Sequence, residues 1–126
     1  MQLNQVTLPS QDVAASIDFY RKLGLRLIVD AQPRYARFEC PVGDSTLSVH
    51  QVTGPAAETG AVVYFECDDL DEQVARLKAL GVNFSQEPRD EKWLWREARV
   101  RDPSNNEICL FRAGQNRRFP PWRVPG

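Results

Sequence analysis

The most reactive side chains in this chain of 126 residues are one histidine, His50, and three cysteines, Cys40, Cys67 and Cys109. An imidazole can pass protons near neutral pH. A thiol becomes a good nucleophile only beside a cation or a helix N-terminus. The cysteines are odd in number, lack any CxxC spacing, and each lies in or beside an apolar run. They read as buried reduced thiols rather than as a disulfide scaffold or a structural zinc site. A second signature concerns recognition. In "WLWREARV", Trp93–Val100, strand alternation puts Ala98 and Val100 on one face and Trp93, Trp95, Glu97 and Arg99 on the other. In "YARF", Tyr35 and Arg37 likewise oppose Ala36 and Phe38. Aromatic rings and guanidinium groups sharing a face suit a flat or anionic organic molecule. The tryptophans would serve a sheet edge or a subunit contact as well.

The elements that position these residues come from a repeat. Shifting the sequence by 57 positions sets Asp12 on Asp69, Val13 on Leu70, Ile17 on Val74, Tyr20 on Leu77, Leu23 on Leu80 and Gly24 on Gly81. Apolar spacings of four, three and three place one stripe on one helical face. Asp12 and Asp69 are expected N-caps, with Glu72 completing a capping box in the second copy, and the glycines are the stops. Helices are therefore expected over Asp12–Leu23 and Asp69–Leu80. Strand-like runs precede them at Leu3–Leu8 and Ala61–Cys67. Three more follow each helix: Leu25–Asp30, Tyr35–Cys40 and Ser45–Val52, then Val82–Gln86, Leu94–Arg101 and Glu107–Arg112. "PVGDS" and "DPSNN" supply hairpin turns. Each half reads as strand, helix and three strands.

The boundaries follow: a single domain over 1–126, with module one at 1–53, a turn-rich linker at 54–60, module two at 61–113 and a tail at 114–126. With 42% hydrophobic and 26% charged residues the composition is that of a globular protein. The net charge of −1 gives no general attraction to nucleic acid or to an anionic membrane surface. No apolar run is long enough to span a membrane and no signal-peptide pattern opens the chain, so a cytoplasmic location is expected.

The stretches "VTLPSQDVAASIDFYRKLGL", "YFECDDLDEQVARLKALGV" and "RDPSNNEICLF" resemble, in order and over nearly the whole chain, the vicinal oxygen chelate superfamily. That family includes glyoxalase I, bleomycin-resistance proteins and extradiol dioxygenases. The resemblance implies an α+β fold: two tandem pseudo-symmetric βαβββ modules forming a curled mixed eight-stranded sheet around a groove, helices outside. Alternation then turns Val6, Leu8, Leu47, Val49, Val63, Phe65, Ile108 and Leu110 toward the helices. Gln5, Thr7, Ser48, His50, Val62, Tyr64, Glu66, Cys109 and Phe111 face the groove.

Family enzymes hold a divalent metal with His, Glu or Gln from the first and last strands of each module. Carried over by position, the places are Gln5, Ser48, Val62 and Cys109. Valine cannot ligate, serine is weak, and hard amide oxygen and soft thiolate suit different metals. No metal and no other cofactor is expected. A non-standard set of Gln5, His50 and Glu66 is conceivable, against a lone histidine bonded to a ligand, water or neighbour. The expected ligand-binding residues are Gln5, Thr7, Tyr35, Arg37, Ser48, His50, Tyr64, Glu66, Trp93, Trp95, Arg99, Cys109 and Phe111, with no catalytic residue assigned. The leading expectation is a metal-independent member of the family that binds a small organic molecule. The alternatives are a lyase, isomerase or dioxygenase with a rearranged metal site, and an interaction module with a filled groove.

The tail "GQNRRFPPWRVPG" carries prolines that favour an extended path. Phe119 and Trp122 are large apolar surfaces to leave in water. A docked tail is expected, as is a homodimer, which family members commonly form.

Overall fold

The computed structural model describes residues 2–54 and 61–125, so the linker expected at 54–60 lies almost wholly outside the described residues. The chain divides into two compact units, Met1–Ala61 with Asp102–Asn106, and Val62–Arg101 with Glu107–Gly126.

The first unit runs β1 (Gln5–Ser10), α1 (Val13–Lys22), β2 (Arg26–Ala31), β3 (Tyr35–Glu39) and β4 (Thr46–Gln51). Its sheet has the order β1-β4-β3-β2, with β1 parallel to β4 and the other pairs antiparallel. Asp12 caps α1 by accepting the Ala15 amide at 3.1 Å. Gly24 stops it at φ +102°, and the Leu25 amide returns to the Tyr20 carbonyl at 3.0 Å. Leu25 thereby enters the core, where Leu8, Val13, Ile17, Tyr20, Phe38, Leu47 and Val49 are also buried. Burying each large apolar side chain contributes roughly 1.5–3 kcal/mol.

The "DPSNN" turn belongs to this unit. Oδ1 of Asp102 accepts the amides of Ser104 and Asn106 at 2.9 and 2.8 Å. Oδ2 accepts the Tyr20 hydroxyl at 2.7 Å and Nδ2 of Asn106 at 2.8 Å. The Asn106 amide group also reaches the Pro9 carbonyl, and the Ser104 hydroxyl accepts the Gln11 amide. The turn is thus a hub of satisfied buried polar groups and not merely a hairpin end.

The second unit repeats the pattern with β5 (Val62–Glu66), α2 (Leu70–Ala79), β6 (Phe84–Asp90), β7 (Arg96–Arg101) and β8 (Glu107–Arg112), then a short 3-10 helix at Gly114–Arg117. The order is β5-β8-β7-β6, with β5 parallel to β8. Gly81 stops α2 at φ +90° with the same return, Val82 to the Leu77 carbonyl. Leu70, Val74, Leu77, Val82, Ala98, Val100, Ile108 and Leu110 are buried. Val63 and Phe65 pair with Ile108 and Leu110 and so share their face.

The fold is therefore α+β with two βαβββ modules, and its eight strands hydrogen-bond as two mixed sheets of four. Local details differ from expectation. Asp69 does not cap α2 with its side chain; its Oδ2 accepts Nε2 of Gln73 instead. Strand β6 extends to Asp90 through Pro88, and β7 begins at Arg96 because Leu94 takes a left-handed turn at φ +67°. The tail does not run straight: after the 3-10 turn, the Phe119 amide reaches the Gln115 carbonyl and the Arg123 amide the Pro120 carbonyl. Phe119 and Trp122 remain 57% and 58% exposed, with Arg118 and Arg123 lying over the Phe119 ring. Among the described residues no helix is long and apolar enough to cross a membrane.

Candidate functional site

Strand register builds one row of side chains in each sheet. In the first, Thr7 pairs with Ser48 and Ser48 with Arg37. In the second, Tyr64 pairs with Cys109 and Cys109 with Arg99. Residues paired across strands project to the same face, so an arginine occupies the equivalent position of both modules. The neighbouring row holds Tyr35 opposite His50 in the first sheet and Glu97 opposite Phe111 in the second.

The first sheet's face is polar. The Thr7 and Ser48 hydroxyls lie 2.6 Å apart, and Ser48 is fully buried. Nε of Arg37 donates to the Tyr35 hydroxyl at 2.9 Å. Burial alone would raise the Tyr35 phenol, but its hydrogen bonds with Ser48 and Arg37 and the Arg37 charge outweigh that and hold it below its ordinary value. Gln5 Oε1 accepts the Thr46 hydroxyl at 2.9 Å. His50 is exposed near the end of β4.

The second sheet's face is aromatic. Trp95 stacks on Phe111 with centroids 4.7 Å apart, and Tyr64 meets both rings edge-on at 5.9 and 5.5 Å. Phe111, Cys109 and Ala113 are buried there with Val62 and Trp95 packed against them, while Tyr64 keeps 45% of its surface exposed. Arg99 lies 5.6 Å from the Tyr64 centroid.

Beside the rings is a carboxylate that sequence reasoning placed on this face but did not count as a binding residue. Glu97 is 2% exposed. It accepts Nε1 of Trp93 at 2.5 Å and Nη2 of Arg99 at 2.9 Å, and the Cys109 thiol points to it at 3.6 Å. Arg99 also pairs with Glu107 at 3.5 Å. Burial opposes the Arg99 charge, yet its bond to Glu97 and the surrounding negative groups keep its pKa above the usual arginine value. Burial likewise pushes the Cys109 thiol up to about 12; Arg99 opposes that rise and Glu97 adds to it. Alternation already sets Glu97 on the Arg99 face; the further signal is that an acid and an arginine two residues apart on one strand face predict an ion pair.

The expected residues thus separate by sheet. Gln5, Thr7, Tyr35, Arg37, Ser48 and His50 lie in the first; Tyr64, Trp95, Arg99, Cys109 and Phe111 cluster in the second. Trp93 stands in the turn before β7, held by Glu97. Glu66 is committed to backbone: its Oε2 accepts the Ala113 and Gly114 amides at 2.7 and 2.8 Å, and Arg117 approaches its other oxygen at 3.7 Å.

The donor chemistry of the four inherited metal positions does not fit a divalent ion. Gln5 and Ser48 are engaged with Thr46 and Thr7, Val62 has no donor atom, and a soft Cys109 sulfur suits a different metal from the hard Gln5 oxygen. No group of three or more His, Cys, Asp or Glu side chains among the described residues is placed to hold a metal.

Known structures share this architecture. A glyoxalase/bleomycin resistance protein/dioxygenase from Nocardioides matches with a TM-score of 0.80 at 22% identity, covering 99% of this chain and 90% of that one. A bleomycin resistance determinant encoded on the transposon Tn5 gives 0.72 at 21% identity, over 89% and 98%. Lactoylglutathione lyase from Agrobacterium tumefaciens gives 0.71 at 20%, over 88% and 92%. At such identities these likenesses speak for the fold alone, and comparison with curated proteins returns no match. The family model of the Glyoxalase/Bleomycin resistance protein/Dioxygenase superfamily, however, matches residues 2–110, and with the two βαβββ modules it identifies the chain as a member of that superfamily.

Proposed function

We propose that the protein binds a small, flat organic molecule without the help of a metal ion. The observation that carries this reading is the ring cluster of Tyr64, Trp95 and Phe111, which leaves nearly half of Tyr64 open beside Arg99. An aromatic surface already ordered by its own edge and stacking contacts loses little entropy when it receives another ring. The mismatch of donors at Gln5, Ser48, Val62 and Cys109 supports the metal-independent part. Sequestration or sensing of such a molecule fits this chemistry better than a lyase, isomerase or dioxygenase reaction, each of which would call on a rearranged metal site. A homodimer belongs to the same reading, because Phe119 and Trp122 expose apolar area that a partner would cover. A cytoplasmic location belongs to it too, supported by three free thiols.

Two measurements test the reading. Elemental analysis of natively purified protein is expected to find no stoichiometric transition metal; retention of one metal per chain would overturn metal independence and favour an enzyme. Tryptophan fluorescence titrated with 2-naphthol is expected to report binding that Tyr64→Ala weakens about tenfold. No response of the wild-type protein to any flat aromatic compound would remove the small-molecule reading.

A further inference from the structure

The two modules carry an internal comparison. Arg99 and Arg37 occupy equivalent positions, opposite Cys109 and Ser48. Arg99 has two carboxylate partners, Glu97 two residues earlier on its own strand and Glu107 on the next. The residues at those places in the first module are Tyr35 and Thr46, in each case a hydroxyl where the second module has a carboxylate. Arg37 therefore stands half-buried with its Nε spent on the Tyr35 phenol. Among the described residues no carboxylate pairs with it; the one acid on its own strand, Glu39, pairs with Arg26 at 3.3 Å.

We infer that Arg37, with the Tyr35, Ser48 and Thr7 hydroxyls around it, binds the carboxylate of a small organic ligand on the face of the first sheet. The inference deepens the small-molecule reading and rests on it. A guanidinium presents a planar fork of N–H donors, and Arg37 has used only Nε, which leaves both Nη groups for two parallel bonds to one carboxylate. The second module shows what that fork takes at this position when the chain supplies it: the Glu97 oxygen at 2.9 Å. The hydroxyl row adds one further donor, since Thr7, Ser48 and Tyr35 carry one hydroxyl hydrogen each and the Thr7–Ser48 and Ser48–Tyr35 contacts consume two of them. The local field agrees. The Tyr35 oxygen, in contact with Arg37 and Ser48, is held in surroundings that favour negative charge despite some burial. Arg99 is unsuited to this role, because Glu97 and Glu107 already balance its charge. Sheet one is thus the anion-selective face and sheet two the ring-selective one.

The experiment is an NMR titration of the full-length protein with benzoate and with its neutral isostere benzamide. The Arg37 Nε–H and Trp95 Nε1–H signals are followed, with Arg37→Met and Arg37→Lys as variants. Benzoate is expected to shift the Arg37 signal, benzamide to leave it unmoved. Arg37→Met should weaken benzoate binding at least about tenfold while benzamide binding is unchanged. Arg37→Lys, which keeps the charge but not the fork, should recover part of the loss, and it serves as the test if the Met variant does not fold. Equal benzoate affinity in wild type and either variant overturns the inference. So does benzoate that moves only the Trp95 signal, an outcome that leaves the small-molecule reading standing. Response to neither compound anywhere would remove both. Displacement of benzoate by an equal concentration of inorganic phosphate would overturn the carboxylate class in favour of a general oxyanion site.

Discussion

The Tyr20 hydroxyl donates a 2.7 Å hydrogen bond to Oδ2 of Asp102, a residue 82 positions further along the chain. Tyr20 is fully buried and its ring packs against Phe19 and Phe38, so the bond sits in the middle of the first unit's core. Tyr20→Phe keeps the packing and removes one charge-assisted bond. It is expected to destabilise the protein by about 2 kcal/mol in urea unfolding.

The same pair sets a pH dependence. Burial raises the Tyr20 pKa, and the charge of Asp102 and the bond to it raise it further. The unfolded phenol ionises near its ordinary value of 10.0 while the folded one keeps its proton. This stabilisation is complete below pH 10 and is lost as pH rises beyond it. Urea midpoints between pH 9 and 11 should fall for the wild type and fall less steeply for Tyr20→Phe.

Glu97→Ala strips a buried carboxylate from Arg99 and Trp93 together. Loss of one partner from a buried ion pair is expensive, although Glu107 remains beside Arg99. A destabilisation of about 3 kcal/mol is expected by chemical denaturation. Near-neutral behaviour would mean that the network adds orientation to the aromatic face and not stability.

Thiol titration at pH 8 with an aromatic disulfide reagent should separate the cysteines. Cys40 and Cys67 are partly exposed, and both are expected to react before Cys109, which is buried. Burial first, then the Glu97 charge against the opposing Arg99, pushes the Cys109 thiol up to about 12. It should react only at the rate of unfolding. The linked stability is present below about pH 9, the ordinary thiol value, and fades between there and about 12.

The helix stops offer a matched pair of variants. Gly24 and Gly81 have φ +102° and +90°, and a Cβ at either would meet nothing within 4 Å. The penalty for alanine is then purely conformational, about 1–2 kcal/mol at each site by thermal or urea unfolding. A much larger loss at one of them would reveal a steric role that its surroundings do not contain.

Helix limits were legible because three independent signals coincide in each: an aspartate before the first apolar residue, a spaced apolar stripe, and a glycine after the last. The second helix kept its bounds even without its side-chain cap, since the stripe of Leu70, Val74 and Leu77 and the Gly81 stop remained. The expected strand Val82–Gln86 stops short of Pro88, which lacks an amide hydrogen, whereas β6 runs on to Asp90. The strand lies at the sheet edge, and its register shifts between Gln86 and Arg89, so that missing donor leaves no ladder bond unmade. Side-chain faces in β1, β3 and β8 followed from alternation. The partners did not: Arg99 with Glu107, Asp102 with Tyr20 and Glu66 with the Ala113 amide depend on which strands become neighbours. One sequence alone carries no such information.

Asp102–Asn106 completes the first unit although it is synthesised after most of the second. A nascent chain ending anywhere before residue 102 has the Tyr20 hydroxyl, the Pro9 carbonyl and the Gln11 amide without the groups that satisfy them. The first unit therefore gains these polar partners only from a turn about 80 residues downstream of Tyr20. A chain truncated before residue 102 is accordingly expected to be cleaved faster by an added protease than the full chain, because the Tyr20 hydroxyl has lost its buried acceptor.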